Sequence, residues 1–459
     1  MSNGKMGFLQ CHVFTPVSDA LLVRDMQGLH KRSRFGGVSR TRISSQSEKF
    51  WIRKSSGDKS LSSLSELAVR SRLIFSIRVF EAAKAAVEAE GLVLDKDIVS
   101  FATLAVKKMI VAAKDEKEKK EKVSDTPAEE EAPTESEEGD VTSLEMKQVI
   151  VLGQAEIWAI TSEVVRLCHM VKDGLIQITA KGDIEAPMVV TAPAPSQDKK
   201  SGKEKKQKKE LSKDAKKTVA NLKANLAVLG ASCGLDTLLF GRMGMGDVIK
   251  GVDGCVYVAH SFTVHEELSE GDEFAAVDDL TENGGAGHLN NTELASGLYY
   301  GYKVIDLDPL REGLLKYVPE DALREKFLRD ILDHLIWLFT TRQMGAKKGS
   351  TAPFTRASML MVEVGTSQPA SLAQAFDRPI RPGKAGMHWS ACTALANFLE
   401  DRNACYPELR NKEFVMAVGG PENPLFKVVG QAVTMGIGAI VEAATAAAFA
   451  EAGKTSVGG

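Results

Sequence analysis

The amino-acid sequence predicts an α+β fold in which a domain of mixed strands and helices is interrupted by a helical insertion. Short runs rich in β-branched and aromatic residues occur near the N-terminus and again after residue 250. Between about 61 and 235, apolar residues instead recur at helical spacing, and few strands are predicted. With 459 residues and 44% hydrophobic content, the chain is long enough to bury the cores of two to three domains.

The N-terminal segment predicts two short strands and a helix. The first strand, FLQCHVFTP at 8–16, is apolar and β-branched and is expected to end at its proline. The second strand, VSRTRI at 38–43, alternates in polarity. A helix is predicted over 46–55. Ser45 and Glu48 have the spacing of a capping box, in which each side chain satisfies the backbone amide of the other residue.

The insertion contains predicted helices and two charged runs. Helical periodicity covers four segments, 64–90, 98–113, 145–172 and 211–231. The runs at 114–140 and 192–210 are too polar to bury a core, so they are predicted to be disordered loops.

Strand patterns resume after the insertion. Strands are predicted at 255–265, 295–307 and 357–365, and a helix is predicted at 319–343. The acidic segment 266–294 contains glycines and is too long for a tight turn, so we expect a projecting arm. Without the insertion, the order of elements is β-α-β-β-α-β, which is that of the ferredoxin-like and RRM folds.

Cysteine spacing and hydropathy exclude several classes of protein. The six cysteines are scattered without a C-x-x-C pair, which excludes a disulfide scaffold and argues against a structural zinc site. The N-terminus has no apolar signal core. The apolar segment 428–453 is built from Ala and Gly and contains Gln431 and Glu442, so it predicts a packed helix rather than a membrane span. We therefore expect a cytoplasmic protein without a membrane partner.

Charge is balanced overall but segregated along the chain. The formal net charge is −3, yet residues 1–59 carry eleven Lys/Arg against four Asp/Glu. The segment 251–302, in contrast, contains ten acids and neither Lys nor Arg. Blocks of opposite sign can hide a polyanion-binding face within a neutral total, so the composition does not exclude a nucleic-acid partner.

The stretch FGGVSRTRISSQSEKFWIRK at 35–54 combines cations with the start of a helix. Helix N-termini bind phosphate through free amides and the positive end of the helix dipole. Arg40 and Arg42 alternate along a strand, and Lys49 and Arg53 lie one helical turn apart, so each pair is expected to share a face. Because no group is placed to read bases, the pattern favours sequence-independent binding of a phosphodiester backbone. A basic helix face that is merely solvated is the alternative.

The stretch RDMQGLHKRSRFGGVSRTRISSQSEK at 24–49 closely resembles the N-terminal signature of the CasC-type backbone subunit of Cascade, the type I-E CRISPR surveillance complex. Four further stretches resemble that family in the same order: LDTLLFGRM (235–243), VDGCVYVAHSFTVH (252–265), FAAVDDL…GAGHLNNTELASGLYY (274–300) and QPASLAQAF (368–376). Together they span most of the chain except the helical insertion and the C-terminal part.

The resemblance implies a hand-shaped subunit that forms a filament along a guide RNA. An RRM-like palm would comprise 1–60, 236–265 and 295–459, the last with C-terminal helices. Helical fingers would comprise 61–235, and a protruding thumb of β-hairpin type would comprise 266–294. The implied partners are the CRISPR guide RNA, target DNA through the guide duplex, neighbouring copies of the chain and other Cascade subunits. No catalytic residue, cofactor or metal is implied.

The resemblance also assigns individual residues. The expected RNA contacts are Arg24, Lys31, Arg40, Arg42, Ser44, Ser45, Gln46, Lys49, Arg53, Arg242 and Met243. Met243 would touch a kinked nucleotide. Phe274 and Leu289, on the thumb, would form a wedge beside a displaced base pair.

Two enzymatic or metal-binding interpretations stay open as alternatives. Backbone subunits of type III CRISPR complexes share the palm and cut target RNA with an Asp and a divalent metal, and Asp25 is the residue to suspect here. The adjacent Asp278 and Asp279 are a weaker candidate for Mg²⁺. His260 and His265 lie five residues apart on a predicted strand, so a shared metal is not expected.

Overall fold

The computed structural model of the protein describes residues 5–95, 97–111, 143–185, 233–244, 249–267, 269–277, 286–429 and 436–454. Of these, residues 269–270, 274–277, 286–290 and 452–454 are described by their backbone alone. The runs predicted to be disordered at 114–140 and 192–210, and the helix predicted at 211–231, lie outside the described residues.

The chain divides into two compact units, which we call the sheet unit and the inserted unit. The sheet unit comprises Met1–Ser65 and Gly254–Gly459, and the inserted unit comprises Glu66–Asp253. The N-terminal part of the sheet unit contains three strands and two helices: β1 (Phe8–Ala20), β2 (Arg32–Phe35), β3 (Val38–Ile43), α1 (Ser45–Lys54) and α2 (Leu61–Leu64).

The inserted unit is mainly helical. Its elements are β4 (Val69–Ser71), a π-helix (Ile74–Val79), α3 (Phe80–Ala89), α4 (Ile98–Val111), β5 (Ile150–Leu152), α5 (Gln154–Lys172), β6 (Gln177–Ile178), β7 (Ile184–Glu185) and α6 (Leu235–Phe240). Apolar side chains of the π-helix, α3, α4 and α5 form one core, with Phe75, Val106 and Val164 fully buried. The helical periodicity read from the sequence is confirmed for α3, α4 and α5.

The chain returns to the sheet unit for its remaining elements. The strands are β8 (Val256–Val258), β9 (Ser261–Thr263), β10 (Ser269–Val277), β11 (Ala286–Asp306), β12 (Met359–Gly365) and β13 (Lys412–Ala417). The helices are α7 (Leu307–Leu314), α8 (Asp321–Thr341), α9 (Lys348–Thr351), α10 (Gly386–Cys405), α11 (Leu425–Val428) and α12 (Ile437–Lys454). Three short 3-10 helices lie at Ala373–Phe376, Pro407–Leu409 and Gly420–Glu422.

The strands of the sheet unit form one antiparallel sheet in the order β13-β12-β1-β11-β9-β3-β2, with β8 and β10 also paired to β11. β1 lies between β12 and β11 and is buried on both faces from Leu9 to Thr15. The prediction that this strand ends at Pro16 is wrong, because β1 continues to Ala20. Pro16 lies beyond Phe14, the last residue paired with β12, so its missing N–H costs no ladder hydrogen bond on that side.

Helices cover both faces of this sheet. On one face, Phe14, Tyr300 and Met361 form a core with Leu395 of α10 and Phe376. α8 packs against β1, and α12 packs against β12 and β13. The two helices also pack against each other. This confirms that the Ala-rich C-terminal segment forms a packed helix. No helix within the described parts of the chain has the length and apolar character needed to cross a membrane.

The acidic arm is a β-hairpin built on a strand of the sheet. β10 pairs with the first part of β11, from Ser269 opposite Ala295 to Val277 opposite Ala286. β11 then continues into the sheet and pairs with β1, β8 and β9. In the backbone register Phe274 lies opposite Asn290, and Leu289 lies opposite Ala275. The side chains of Phe274 and Leu289, and all of Asp278 and Asp279, lie outside the described residues, so these assignments stay predictions.

Candidate nucleic-acid interface

Helix α1 begins at Ser45, and Ser44 is its N-cap. Ser44 has extended backbone angles (φ −71°, ψ 147°), and its Oγ accepts a hydrogen bond from the amide of Ser47 at 3.4 Å. The amide of Ser45 donates to Nδ1 of His260 at 3.1 Å. The predicted capping box of Ser45 and Glu48 is therefore wrong, because the cap lies one residue earlier and the Glu48 carboxylate is held elsewhere.

Glu48, the one acid of the basic stretch, lies in a buried ion cluster under α1. Its Oε2 is 3.1 Å from Nζ of Lys303 and 2.9 Å from Nη2 of Arg342, and Ser261 donates a hydrogen bond to its Oε1. Burial alone would raise the pKa of Glu48, but Arg342, Lys303 and Ser261 outweigh it and the pKa is lowered. Burial lowers the pKa of Lys303 to about 8, against the raising effect of Glu48. The cluster anchors α1 on the sheet and removes its acid from the surface.

Three polar side chains of α1 follow one another at helical spacing. Gln46 is exposed, and Lys49 and Arg53 are half-buried. Positions 46, 49 and 53 are separated by three and four residues, so they lie on one side of the helix. With Glu48 buried in the cluster, this side presents an amide and two cations.

Strand β3 brings further cations to the start of α1. Arg42 is half-buried, its Nη1 lies 3.1 Å from Nδ1 of His260, and its Nε donates to the Arg32 carbonyl at 3.4 Å. The Arg42 amide donates to the carbonyl of Lys31 at 2.8 Å, which places Lys31 beside it. Burial, and then the charges of Arg42 and Lys31, lower the pKa of His260, so Nδ1 of its neutral imidazole can accept the hydrogen bond from the Ser45 amide.

His260 was missed as a positioning residue by the sequence reasoning, which considered it only as a metal ligand. It orients both Arg42 and the first amide of α1, although it lies 215 residues from Ser45 in the sequence. No local pattern signals such a contact. Within the described part of the chain, no group of three or more His, Cys, Asp or Glu side chains is arranged to hold a metal ion.

Arg40 lies in the interior rather than on this surface, which argues against its predicted role as an RNA contact. Its side chain is fully buried and donates hydrogen bonds to the carbonyls of Thr263 at 2.9 Å and Phe376 at 2.7 Å. The guanidinium also lies 5.6 Å and 6.0 Å from the ring centroids of Phe35 and Phe262. The segment around Phe376 covers the Arg40 end of β3, whereas the Arg42 end is partly open.

Replacing Arg40 with Met is expected to lower the free energy of unfolding by about 2–4 kcal/mol, because two buried carbonyls lose their charged donor. Urea denaturation measures this effect. Arg34→Met removes an exposed Arg from neighbouring β2 and should change stability by less than about 0.5 kcal/mol. A stable Arg40→Met protein with weakened RNA binding would return Arg40 to the interface.

In the inserted unit, Arg242 is also buried, which argues against its predicted role as an RNA contact. Nη1 and Nη2 lie 2.5 Å and 2.6 Å from the two carboxylate oxygens of Glu156, and Nη1 also donates to the Val151 carbonyl at 3.1 Å. Its neighbour Met243 is 91% exposed. The FGRM stretch therefore holds one structural residue and one surface residue.

Arg24 and Asp25 lie in the exposed loop between β1 and β2. Oδ1 of Asp25 accepts hydrogen bonds from the amides of Gln27 at 2.9 Å and Leu29 at 3.0 Å. This carboxylate therefore closes a turn in the loop that carries Arg24.

Comparison with known proteins finds one matching protein-family model and several similar solved structures. The model of the Cas_CT1975 family, described as CT1975-like protein, matches residues 9–436. A solved chain of a "CRISPR RNA-guided surveillance complex, pre-nicking" matches with a TM-score of 0.66 and 24% identity, covering 96% of this chain and 100% of that chain. A chain of a "CRISPR RNA-guided surveillance complex" has a TM-score of 0.49 and 19% identity, with the same two coverages. No curated protein matches significantly.

The structural match at a TM-score of 0.66 shows a shared fold over nearly the whole chain. The family model covers both units, including the α1 surface and the hairpin. The chain belongs to the CT1975-like protein family.

Proposed function

We propose that this protein is a non-catalytic backbone subunit of a type I-E CRISPR surveillance complex. Copies of it assemble along the CRISPR guide RNA in the cytoplasm and display the guide for pairing with target DNA, alongside the other Cascade subunits. The observation that carries the proposal is the cationic surface at the start of α1, formed by Lys31, Arg42, Gln46, Lys49 and Arg53. Membership of the CT1975-like family and the fold shared with a surveillance-complex chain support it.

In this proposal the sheet unit is an RRM-like palm, the inserted unit is the fingers, and the β10–β11 hairpin is the thumb. The strand order β12-β1-β11-β9 supports the palm assignment. If β9 is taken as the second strand of a β-α-β-β-α-β unit, this order is fourth, first, third and second, as in a ferredoxin-like fold. α1 and α8 then occupy the positions of its two helices.

The chemistry of the α1 surface favours backbone contacts over base contacts. Arg and Lys donate charge-assisted hydrogen bonds to phosphate oxygens, which position a strand without reading its sequence. The donors come from a helix and a strand that are held by the Glu48 cluster and by His260, so their geometry is fixed before RNA arrives. Such a surface suits a guide whose spacer sequence changes from one complex to the next.

Replacing Lys49 and Arg53 together with Ala is expected to weaken guide binding equally for every guide sequence. We expect about a tenfold loss for each charge-assisted contact and a salt dependence that is flatter by about 0.7 in log–log slope per contact. Filter binding with two unrelated guides across a salt series measures both quantities. Lys316→Ala with Lys326→Ala removes the same charge from exposed positions of the sheet unit and should change neither. A guide-dependent loss would indicate base readout.

Co-purification tests the proposal as a whole. The full-length protein is expected to retain one small RNA of uniform repeat-spacer type when it is expressed with its CRISPR array. Recovery of no RNA, or of RNA of random length and sequence, would contradict the proposal.

The ribonuclease alternative depends on Asp25. Incubating the assembled complex with complementary RNA and Mg²⁺ is expected to leave the RNA intact. Asp25→Asn is the matched variant, because the Asn oxygen can still accept the turn hydrogen bonds while the negative charge is lost. Periodic cleavage by the unaltered complex that is absent with Asp25→Asn would replace the non-catalytic role with a metal-dependent endonuclease role.

A further inference from the structure

The C-terminal ends of α1 and α8 border a cleft that the proposed function does not use. The cleft has a volume of about 700 Å³ and lies wholly within the sheet unit. The residues that line it and bear on its chemistry are Trp51, Lys54, Trp337, Lys348, Phe354 and Arg356. They come from α1, from α8 and from the segment that follows α8.

Three aromatic rings contribute to the lining. Trp51 is half-buried and packs edge-on against Phe50, with ring centroids 5.2 Å apart and an interplanar angle of 80°. Trp337, on α8, is also half-buried. Phe354 is 60% exposed, so its ring is accessible from the cleft. Flat aromatic rings that line an open cleft are suited to stacking against other flat rings.

The charge of the cleft is positive. Lys54, Lys348 and Arg356 are exposed and form no ion pair with any other described residue. Two further lining cations are compensated, because Lys59 pairs with Asp333 and Arg342 pairs with Glu48. Among the lining residues, Asp58 is the only acid. The cleft therefore offers three cations beside three rings.

The segment that carries Lys348, Phe354 and Arg356 has a strained backbone. Lys347 (φ 49°, ψ 49°) and Ala352 (φ 38°, ψ 56°) both adopt the left-handed conformation, which residues other than Gly rarely do. The strain is held by the hydrogen bond from the Ala346 amide to the Leu21 carbonyl at 2.8 Å, and by that from Thr355 Oγ1 to the Pro16 carbonyl at 2.6 Å. Such strain persists where the surrounding structure fixes a segment, and it is enriched at binding sites.

We propose that this cleft binds unstacked nucleotides of single-stranded nucleic acid. Bases stack on Phe354 and the two Trp rings, and Lys54, Lys348 and Arg356 neutralise the phosphates. An acidic peptide would use the cations but would leave the rings without flat partners. The inference rests on the proposed function for the identity of the ligand, which is either the guide RNA or the displaced single strand of target DNA.

Helix α1 connects this cleft to the surface proposed above. Its ten residues span about 15 Å. Gln46 lies in its first turn, and Trp51 and Lys54 lie in its last two turns. Trp51 lies on the opposite side of α1 from positions 46, 49 and 53, so one strand that contacts both surfaces would have to pass around the helix.

Replacing Phe354 with Leu is expected to lower the affinity of the full-length protein for a 30-nucleotide single-stranded RNA by about 5- to 100-fold, because an apolar contact remains but stacking is lost. Phe354→Trp keeps a ring and should bind within about twofold of the unaltered protein. Tyr406→Leu removes another exposed ring of the sheet unit, 59% exposed, and should have no effect. Fluorescence polarisation measures all four proteins, and an unchanged affinity for Phe354→Leu overturns the proposal.

Photocrosslinking identifies the strand. Complexes are assembled with 5-iodouracil either in the guide RNA or in the displaced DNA strand, and adducts are mapped by mass spectrometry. Adducts at Trp51, Trp337 or Phe354 with either strand support the inference and name its source; adducts with neither strand overturn it. If the Lys49/Arg53 variant loses RNA binding and Phe354→Leu does not, the cleft proposal is refuted and the proposed function stands. If Phe354→Leu loses RNA binding and the Lys49/Arg53 variant does not, only the α1 contact is refuted.

Discussion

Replacing Glu48 with Ala is expected to lower the free energy of unfolding of the sheet unit by about 3–5 kcal/mol. Glu48, Lys303 and Arg342 are almost completely buried, with side-chain exposures of 0%, 1% and 3%. Without the carboxylate, two cations remain in the interior without a counter-ion. Urea denaturation of a Trp158→Phe background reports on this unit, because Trp51, Trp337 and Trp389 all lie in it.

Two controls separate the ion cluster from a general effect on α1. Gln46→Ala alters an exposed residue of the same helix and should change stability by less than about 0.5 kcal/mol. Lys303→Met should cost less in the Glu48→Ala background than in the unaltered protein, because the two residues interact directly. Equal costs in the two backgrounds would show that the ion pair contributes nothing.

The effect of Glu48 also depends on pH in a defined direction. The pKa of Glu48 is lowered from its ordinary value of 4.5, so its contribution to stability is present above about pH 4.5 and is lost as pH falls through the folded-state value. The difference in stability between the unaltered protein and Glu48→Gln should therefore shrink on acidification below pH 4.5. A constant difference down to pH 2 would contradict the lowered pKa.

Replacing Arg242 with Ala is expected to destabilise the inserted unit by about 3–5 kcal/mol, because the buried carboxylate of Glu156 loses its bidentate partner. At the start of α5, Glu156 also accepts a hydrogen bond from the amide of Gly153 at 2.8 Å. Loss of the Arg242 side chain should therefore open that end of the helix. Hydrogen exchange of peptides covering 150–172 should show faster exchange in the variant.

The matched control residue lies on α5, the helix that contains Glu156. Arg166 is 39% exposed and lies 3.8 Å from Glu163, so Arg166→Ala should cost at most about 1 kcal/mol. Arg242→Lys should not restore the unaltered exchange rates, because an ammonium cannot bind both carboxylate oxygens in the same geometry. Unchanged exchange in Arg242→Ala would leave Arg242 available as an RNA contact.

The order of the main elements followed from sequence periodicity, because buried strands and helices repeat every two and 3.6 residues. Within the described part of the sheet unit, two strands were not predicted. β2 is the short polar segment RSRF, and β13, with the sequence KEFVMA, lies in a region for which no strand was expected. The strand predicted at 255–265 is in fact two, β8 and β9, which pair with different parts of β11.

The candidate site was predicted less completely, because burial depends on residues far away in the sequence. Arg40 and Arg42 look equivalent along β3, yet Arg40 is enclosed by Phe376, 336 residues further on. Glu48 resembles a helix-capping acid until Lys303 and Arg342 are placed beside it. Lys49 and Arg53 could be paired from the sequence alone, because their relation is set by the helix that contains both.

The 21-residue strand β11 limits how the length of the arm can change. One uninterrupted strand belongs to both the sheet and the hairpin, so on the β11 side the arm continues directly from the sheet. Adding or deleting a single residue there would exchange the two faces of the ribbon, whereas a change of two would preserve them. Relatives and engineered variants are therefore expected to lengthen or shorten this arm in even steps.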